Sequence, residues 1–212
     1  MVQKLKLAIL ISGRGSNLQA IIQACQDETY PASIDTVISN NPDAAGLEHA
    51  AAANIHTHVI NHKDFETREL FDDAMHQYLE PRNIDLICLA GFMRILSSQF
   101  AERWPMKIIN IHPSLLPHFK GLHPQKQALE AGAKESGCTV HFVVPELDSG
   151  PTIIQRHVPI EQNETEKSLS ERILKEEHIA YPEAIKLLAE NRVEIINDTV
   201  EIQPISLSSG TM

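Results

Sequence analysis

The sequence predicts an α/β fold built on a doubly wound, mostly parallel sheet. Three observations predict it. Leu5 to Ile11, Ile84 to Leu89 and the residues around Asn110 form short, nearly continuous apolar runs, as strands buried on both faces do. The segments between them carry apolar residues at helical spacing, so strands and helices alternate. Glycine, proline, serine and asparagine cluster where one pattern gives way to the next.

In chain order, Leu5 to Ile11 reads as the first strand. Ser12-Gly13-Arg14-Gly15-Ser16-Asn17 follows as a tight turn, and Leu18, Ile21, Ile22 and Cys25 mark a helix. Gly15, Ser16 and Asn17 would place backbone N–H groups at the positively polarised start of that helix, which suits a phosphate. The pattern is neither Walker nor GxGxxG, so a plain tight turn is the competing reading. Ser33 to Ser39 is a second strand, and Pro42-Asp43 is expected to open a helix running to Ala53. Thr57 to Ile60 is a short strand, Phe65 to Leu79 an amphipathic helix, and Ile84 to Leu89 a strand. Ala90 to Leu96 is a loop with large apolar side chains, suited to covering a core or lining a pocket. Ser97 to Arg103 is a short helix.

The next stretch, Lys107-Ile108-Ile109-Asn110-Ile111-His112-Pro113, organises the chain. Asn110 and His112 are two apart, so an extended backbone points both side chains to one face, and Pro113 ends the strand. Ligands in open parallel sheets sit at the carboxyl ends of strands, where this pair falls. Leu122 to Ala131 reads as a helix. Cys138 to Val144 and Thr152 to Pro159 are strands of a hairpin-like excursion whose turn, Pro145 to Pro151, would return Asp148 toward His112. Thr165 to Glu190 is one long helix capped by Asn163 or Thr165. Arg192 to Ile196 and Thr199 to Ile202 form a terminal hairpin around Asn197-Asp198, and residues 206–212 are expected to be loose. One domain, 1–212 with a core over about 5–195, is expected.

Composition excludes several classes. The formal net charge of -10 opposes a nucleic-acid surface. No apolar run reaches the roughly 18 residues of a membrane span. The amino terminus leads directly into a strand without a cleavage site, and a cytoplasmic location is expected. Cys25, Cys88 and Cys138 lack metal or disulfide spacing. His56, His58 and His62 are read as solvated side chains in a polar loop, and no metal is expected.

An amide donor, an imidazole and a carboxylate beside a phosphate-sized turn point to acyl transfer onto a phosphorylated acceptor. No Walker lysine or carboxylate cluster for magnesium is present. Four ordered motifs then carry a resemblance: Ile9 to Leu18 with its Ser12-Gly13-Arg14-Gly15-Ser16-Asn17 turn, Ala90 to Leu96, Asn110 to Pro117, and Leu147-Asp148-Ser149-Gly150-Pro151. Together they resemble the folate-dependent phosphoribosylglycinamide formyltransferases. The resemblance implies a Rossmann-like formyltransferase fold and transfer of a formyl group from 10-formyltetrahydrofolate, a co-substrate, to the amine of glycinamide ribonucleotide in purine biosynthesis. Asn110, His112 and Asp148 would be catalytic, with Asn110 and His112 stabilising the tetrahedral oxyanion and Asp148 favouring imidazolium. A turn-capping role is the alternative for Asp148.

The same resemblance assigns the ribonucleotide to Gly15, Ser16, Asn17, Leu174, Lys175, Glu176 and Glu177, with Glu177 on ribose hydroxyls. Leu174 departs from the polar amide frequent there. The folate would lie against Arg68, Met93, Arg94, Ile95, Leu96, Asn110, Val144, Pro145, Glu146, Leu147 and Asp148. His141 is open between ordering water and a structural role. A monomer or weak homodimer is expected. Formyltetrahydrofolate deformylase, with water as acceptor, is the nearest rival, and the strand at Leu5 leaves no room for its amino-terminal regulatory domain. Methionyl-tRNA formyltransferase would need a further RNA-binding domain, and a non-catalytic binding module would not require an aligned polar triad.

Overall fold

β1 (Leu5–Ile11) is the strand on which both halves of the sheet are built, and its last five residues are inaccessible to solvent. The computed structural model describes residues 4–204. After β1 come α1 (Ser16–Cys25), β2 (Ala32–Ser39), α2 (Gly46–Ala52), β3 (His56–Val59), α3 (Arg68–Leu79), β4 (Leu86–Leu89), α4 (Ser98–Arg103) and β5 (Ile108–His112). Then follow α5 (Pro124–Glu130), β6 (Glu135–Phe142), β7 (Thr152–Pro159), α6 (Glu166–Ala189) and the hairpin β8 (Val193–Ile196) and β9 (Thr199–Ile202). The main sheet has seven strands in the order β3-β2-β1-β4-β5-β6-β7. Pairings among the first five are parallel, and β6 and β7 are added antiparallel. The expected hairpin is therefore the antiparallel margin of the main sheet. The chain reverses direction across the sheet between β1 and β4, as a doubly wound fold does.

Side-chain alternation divides the core in two. Leu7, Ile9 and Ile11 of β1, Ile109 and Ile111 of β5, and Val140 and Phe142 of β6 pack under α1 and α6. Ala8 and Leu10 of β1, Ile87 and Leu89 of β4, and Ile108 of β5 pack under α3 and α4. That second apolar layer reaches β5 at Ile108. Beyond it the same face carries Asn110 and His112 on β5 and Thr139 and His141 on β6, paired in register as Asn110↔His141 and His112↔Thr139. No helix covers this corner among the described residues.

Several boundaries differ from expectation for identifiable reasons. α2 starts at Gly46 instead of Pro42, because the Asn41 side chain accepts the Asp43 N–H and holds a turn there. α3 starts at Arg68, after Thr67, whose hydroxyl accepts the Leu70 N–H. α5 is shorter than Leu122 to Ala131, since His123 adopts a left-handed conformation immediately before Pro124. β6 ends at Phe142, so Val144 belongs to the following turn. His56 and His58 lie on β3 and are not in a loop, and His58 stacks on Tyr78 at 4.0 Å between ring centres. Thr165 caps α6 through a reciprocal bond with Ser168, and Pro182 is accommodated within the helix. The turn between β8 and β9 has Asn197 and Asp198 both at positive φ, the geometry of a two-residue hairpin. The segment 206–212 lies outside the described residues.

Candidate active site

The polar corner is assembled by the sheet itself. Asn110 is half-buried, while His112 and His141 are almost fully enclosed. His141 Nδ1 lies 2.8 Å from the Phe142 carbonyl, an acceptor, so Nδ1 carries the proton and Nε2 presents a lone pair. Asn110 Nδ2 lies 3.3 Å from that Nε2 and donates to it. Burial lowers the His141 pKa, outweighing the Phe142 and Asp148 contacts that raise it, which agrees with a neutral ring. The pairing fixes which end of the Asn110 amide faces His141 and leaves its second N–H for another acceptor.

Asp148 reaches this corner from the β6–β7 turn. Its backbone is left-handed at φ 47. Its Oδ2 stands 3.5 Å from His112 Nδ1 and its Oδ1 stands 3.7 Å from His141 Nε2. Two further features seat it. Gly150 has no room for a side chain, since a Cβ would fall 2.0 Å from the Phe142 carbonyl oxygen. The Gly121 N–H donates to Asp148 Oδ2 at 3.0 Å. His112 Nε2 meanwhile donates to the Phe119 carbonyl at 3.0 Å. The backbone from Phe119 to Gly121 thus grips both side chains, and Lys120 Nζ adds a bond to Ser149 Oγ. This segment is not legible in the sequence, because its contribution is made by main-chain groups. Its one visible signal was a glycine nine residues after His112.

The turn after β1 is shaped by two glycines. Gly15 has φ 74 and precedes α1, whose first turn has no side-chain cap. Its amides are therefore open to an external acceptor. A Cβ on Gly15 would lie 2.6 Å from Gly46 Cα, so α2 presses on the turn at a point where neither residue can carry a side chain. Gly46 N–H also donates to the Gly13 carbonyl at 3.0 Å. Gly15 is legible from its place before a helical stripe, whereas nothing local marks Gly46.

Asn17 Nδ2 donates to Glu177 Oε2 at 2.7 Å, 160 residues away. Burial pushes the Glu177 carboxyl up to about 7, with the Asn17 bond pulling the other way. One turn later on α6, the Tyr181 hydroxyl lies 3.0 Å from the Leu89 carbonyl and 3.1 Å from the Ile109 carbonyl. Leu89 is paired with Asn110, so α6 ties the glycine turn to the polar corner. Of the other α6 positions predicted to contact the ribonucleotide, Leu174 is half-buried and Lys175 is exposed. Glu176 pairs with Arg156 on β7 at 3.5 Å, on a different face from Glu177.

The predicted folate wall is partly assembled. Phe92 stacks on Phe71 of α3 at 6.4 Å and Leu96 packs into the same cluster, while Met93, Arg94 and Ile95 are exposed between them. Arg68 lies one turn before Phe71 on α3, with its side chain half exposed and beside Glu69. Val144 is half-buried, and Pro145, Glu146 and Leu147 are exposed. Among the described residues no cluster of metal-ligating side chains occurs and no helix is long and apolar enough to cross a membrane. Cys25, Cys88 and Cys138 are free thiols.

A buried imidazole and carboxylate, an aligned amide donor and a separate glycine turn with uncapped amides describe a group-transfer enzyme on a Rossmann-like sheet. Comparisons with known proteins specify the group. The formyl transferase family profile matches residues 5–185, and the chain belongs to that family. It is 43% identical over 191 residues to phosphoribosylglycinamide formyltransferase of Escherichia coli strain K12, covering 90% of each chain. It is 50% identical over 204 residues to the trifunctional purine biosynthetic protein adenosine-3 of Chironomus tentans, covering 95% of this chain and 15% of that protein. A crystal structure of glycinamide ribonucleotide transformylase 1 from Symbiobacterium toebii matches with TM-score 0.92 and 44% identity over 95% of both chains.

Proposed function

We propose that this chain transfers the formyl group of 10-formyltetrahydrofolate to the primary amine of glycinamide ribonucleotide. The observation that carries the reading is the alignment of Asn110, His112 and Asp148 at one corner of the sheet that turns cover in place of a helix, joined through α6 to the amide-lined turn at Gly15. Relatives matched along 90% of their length bear the name of that activity.

The chemistry follows from the groups present. The acceptor amine attacks the formyl carbon, a C–N bond forms, and the carbonyl oxygen becomes an oxyanion. The free N–H of Asn110 donates to it. His112 Nδ1 faces Asp148 across 3.5 Å, wider than a good hydrogen bond, so a proton there can fork toward the reacting oxygen. The Asp148 carboxylate stabilises positive charge on that ring. Collapse of the intermediate breaks the bond from the formyl carbon to folate N10. The proton lost by the attacking amine is relayed through His112 to N10, so the step balances without an added acid or base. The uncapped amides of Ser16 and Asn17 hold the ribonucleotide phosphate, and the buried Glu177 carboxylate accepts from ribose hydroxyls. The folate lies along Met93 to Leu96 and the turn from Val144 to Asp148, with Arg68 near its anionic end.

The test is turnover of a 10-formylfolate donor with and without glycinamide ribonucleotide, with products identified by mass spectrometry. Deformylation that requires the ribonucleotide and yields formylated ribonucleotide is expected. Equal deformylation without it would make water the acceptor and reject the transferase reading.

A further inference from the structure

The loop from Gly91 to Leu96 is anchored at its ends by burial and open in its middle. Phe92 is 8% exposed, whereas Met93 is 74% and Ile95 59% exposed. A cavity of about 370 Å³ opens beside Met93 and Arg94 and is bounded on its other sides by Ser12, Asn40, Asn61 and His62. Packing alone therefore does not fix the main chain at Met93. Hydrogen bonds do. Ser12 Oγ accepts the Met93 N–H at 2.7 Å and donates to Asn40 Oδ1 at 2.6 Å. The Asn40 amide nitrogen lies 3.0 Å from His62 Nδ1, and the Ser12 N–H donates to the Gly91 carbonyl at 3.2 Å. One continuous relay thus links the carboxyl ends of β1, β2 and β3 to the loop after β4.

We propose that Ser12 and Asn40 are positioning residues for the folate donor, holding the Met93 backbone at the height where the loop's main-chain groups meet the pterin. The proposal rests on the folate site described above. Ser12 Oγ is turned toward Met93 and Asn40 and takes no part in the amide-lined turn, so its loss should act on the donor and spare the ribonucleotide. The hydroxyl is needed twice, as acceptor and as donor, which only serine or threonine provides in that space. Asn40 fixes the hydroxyl's direction, because its Oδ1 takes the Ser12 proton and leaves a lone pair for Met93.

The experiment is steady-state kinetics of Ser12→Ala, Ser12→Thr, Asn40→Ala and the double alanine variant, with each substrate varied in turn, beside amide hydrogen exchange at Met93. Ser12→Ala is expected to raise KM for the 10-formylfolate donor about threefold to tenfold. KM for the ribonucleotide and the unfolding midpoint should stay at wild-type values. Ser12→Thr should restore donor KM, and the double variant should be little worse than Ser12→Ala, since both act on one relay. Met93 exchange should be slow in wild type and faster in Ser12→Ala. Unchanged donor KM in an active Ser12→Ala protein overturns the proposal, as does an equal rise in both KM values with a lowered midpoint. Wild type that fails to use the donor rejects the folate reading itself, a result the kinetics separate from failure of the relay.

Discussion

Asp148 Oδ2 stands 3.5 Å from His112 Nδ1 and accepts the Gly121 N–H at 3.0 Å, so the carboxylate is seated by backbone while it faces the imidazole. Asp148→Asn keeps the shape and removes the charge. Turnover should fall by about 10² or more, as for loss of a proton-transfer partner. Donor and acceptor affinities, measured by calorimetry, should change by less than about threefold. A variant with wild-type turnover across pH 6 to 9 would remove Asp148 from the reaction.

Glu177 should make stability pH-dependent. Its carboxyl is pushed up to about 7 by burial, from an ordinary value near 4.5. A raised folded pKa means that folding favours the protonated form. The contribution is complete below about 4.5 and is lost as pH rises through about 7. At pH 8 the cost is on the order of 3 kcal/mol. Glu177→Gln is expected to match wild type in denaturant melts at pH 5 and to exceed it at pH 8. The same variant should bind the ribonucleotide less tightly at pH 8, because an amide is a poorer acceptor for ribose hydroxyls than a carboxylate.

The two glycines that meet at the amide-lined turn separate packing from tolerance. A Cβ on Gly46 would stand 2.7 Å from Ile11 Cδ1 and 3.0 Å from Gly15 Cα, whereas one on Gly13 meets nothing within 4 Å. Gly46→Ala should lose about 1–3 kcal/mol of stability by overpacking. It should also raise KM for the ribonucleotide while leaving that for the donor unchanged. Gly13→Ala should unfold at the wild-type midpoint. Equal midpoints for the two variants would show that α2 does not press on the turn.

Tyr181→Phe leaves the Leu89 and Ile109 carbonyls without their shared donor inside the core. The expected loss is about 1–2 kcal/mol in urea melts, with the m-value retained.

Much of the architecture was legible because it rests on local apolar patterning. β1 and β7 match the predicted bounds, and the Thr165 cap was visible as a residue type before a helical stripe. The Asn110 and His112 pair was legible from the alternation of a strand. Helix starts were less so where a side chain competes with the backbone, as Asn41 does before α2. Long-range partners left almost no trace. Nothing local announces that Asn17 meets Glu177, that Gly46 lies against Gly15, or that Ser12 turns toward Met93. The grip of Phe119 and Gly121 on His112 and Asp148 is made by peptide groups that nearly every residue possesses.

The layer of α3 and α4 ends at Ile108, and the corner beyond it is roofed by two turns instead of a helix. Exposing the enclosed His112 and His141 therefore calls for movement of turns and not for the parting of two packed apolar layers. Among the bonds that hold those turns are Lys120 to Ser149, Gly121 to Asp148 and His112 to Phe119. Opening of this corner is expected on the timescale of loop motion, with the two packed apolar layers staying closed.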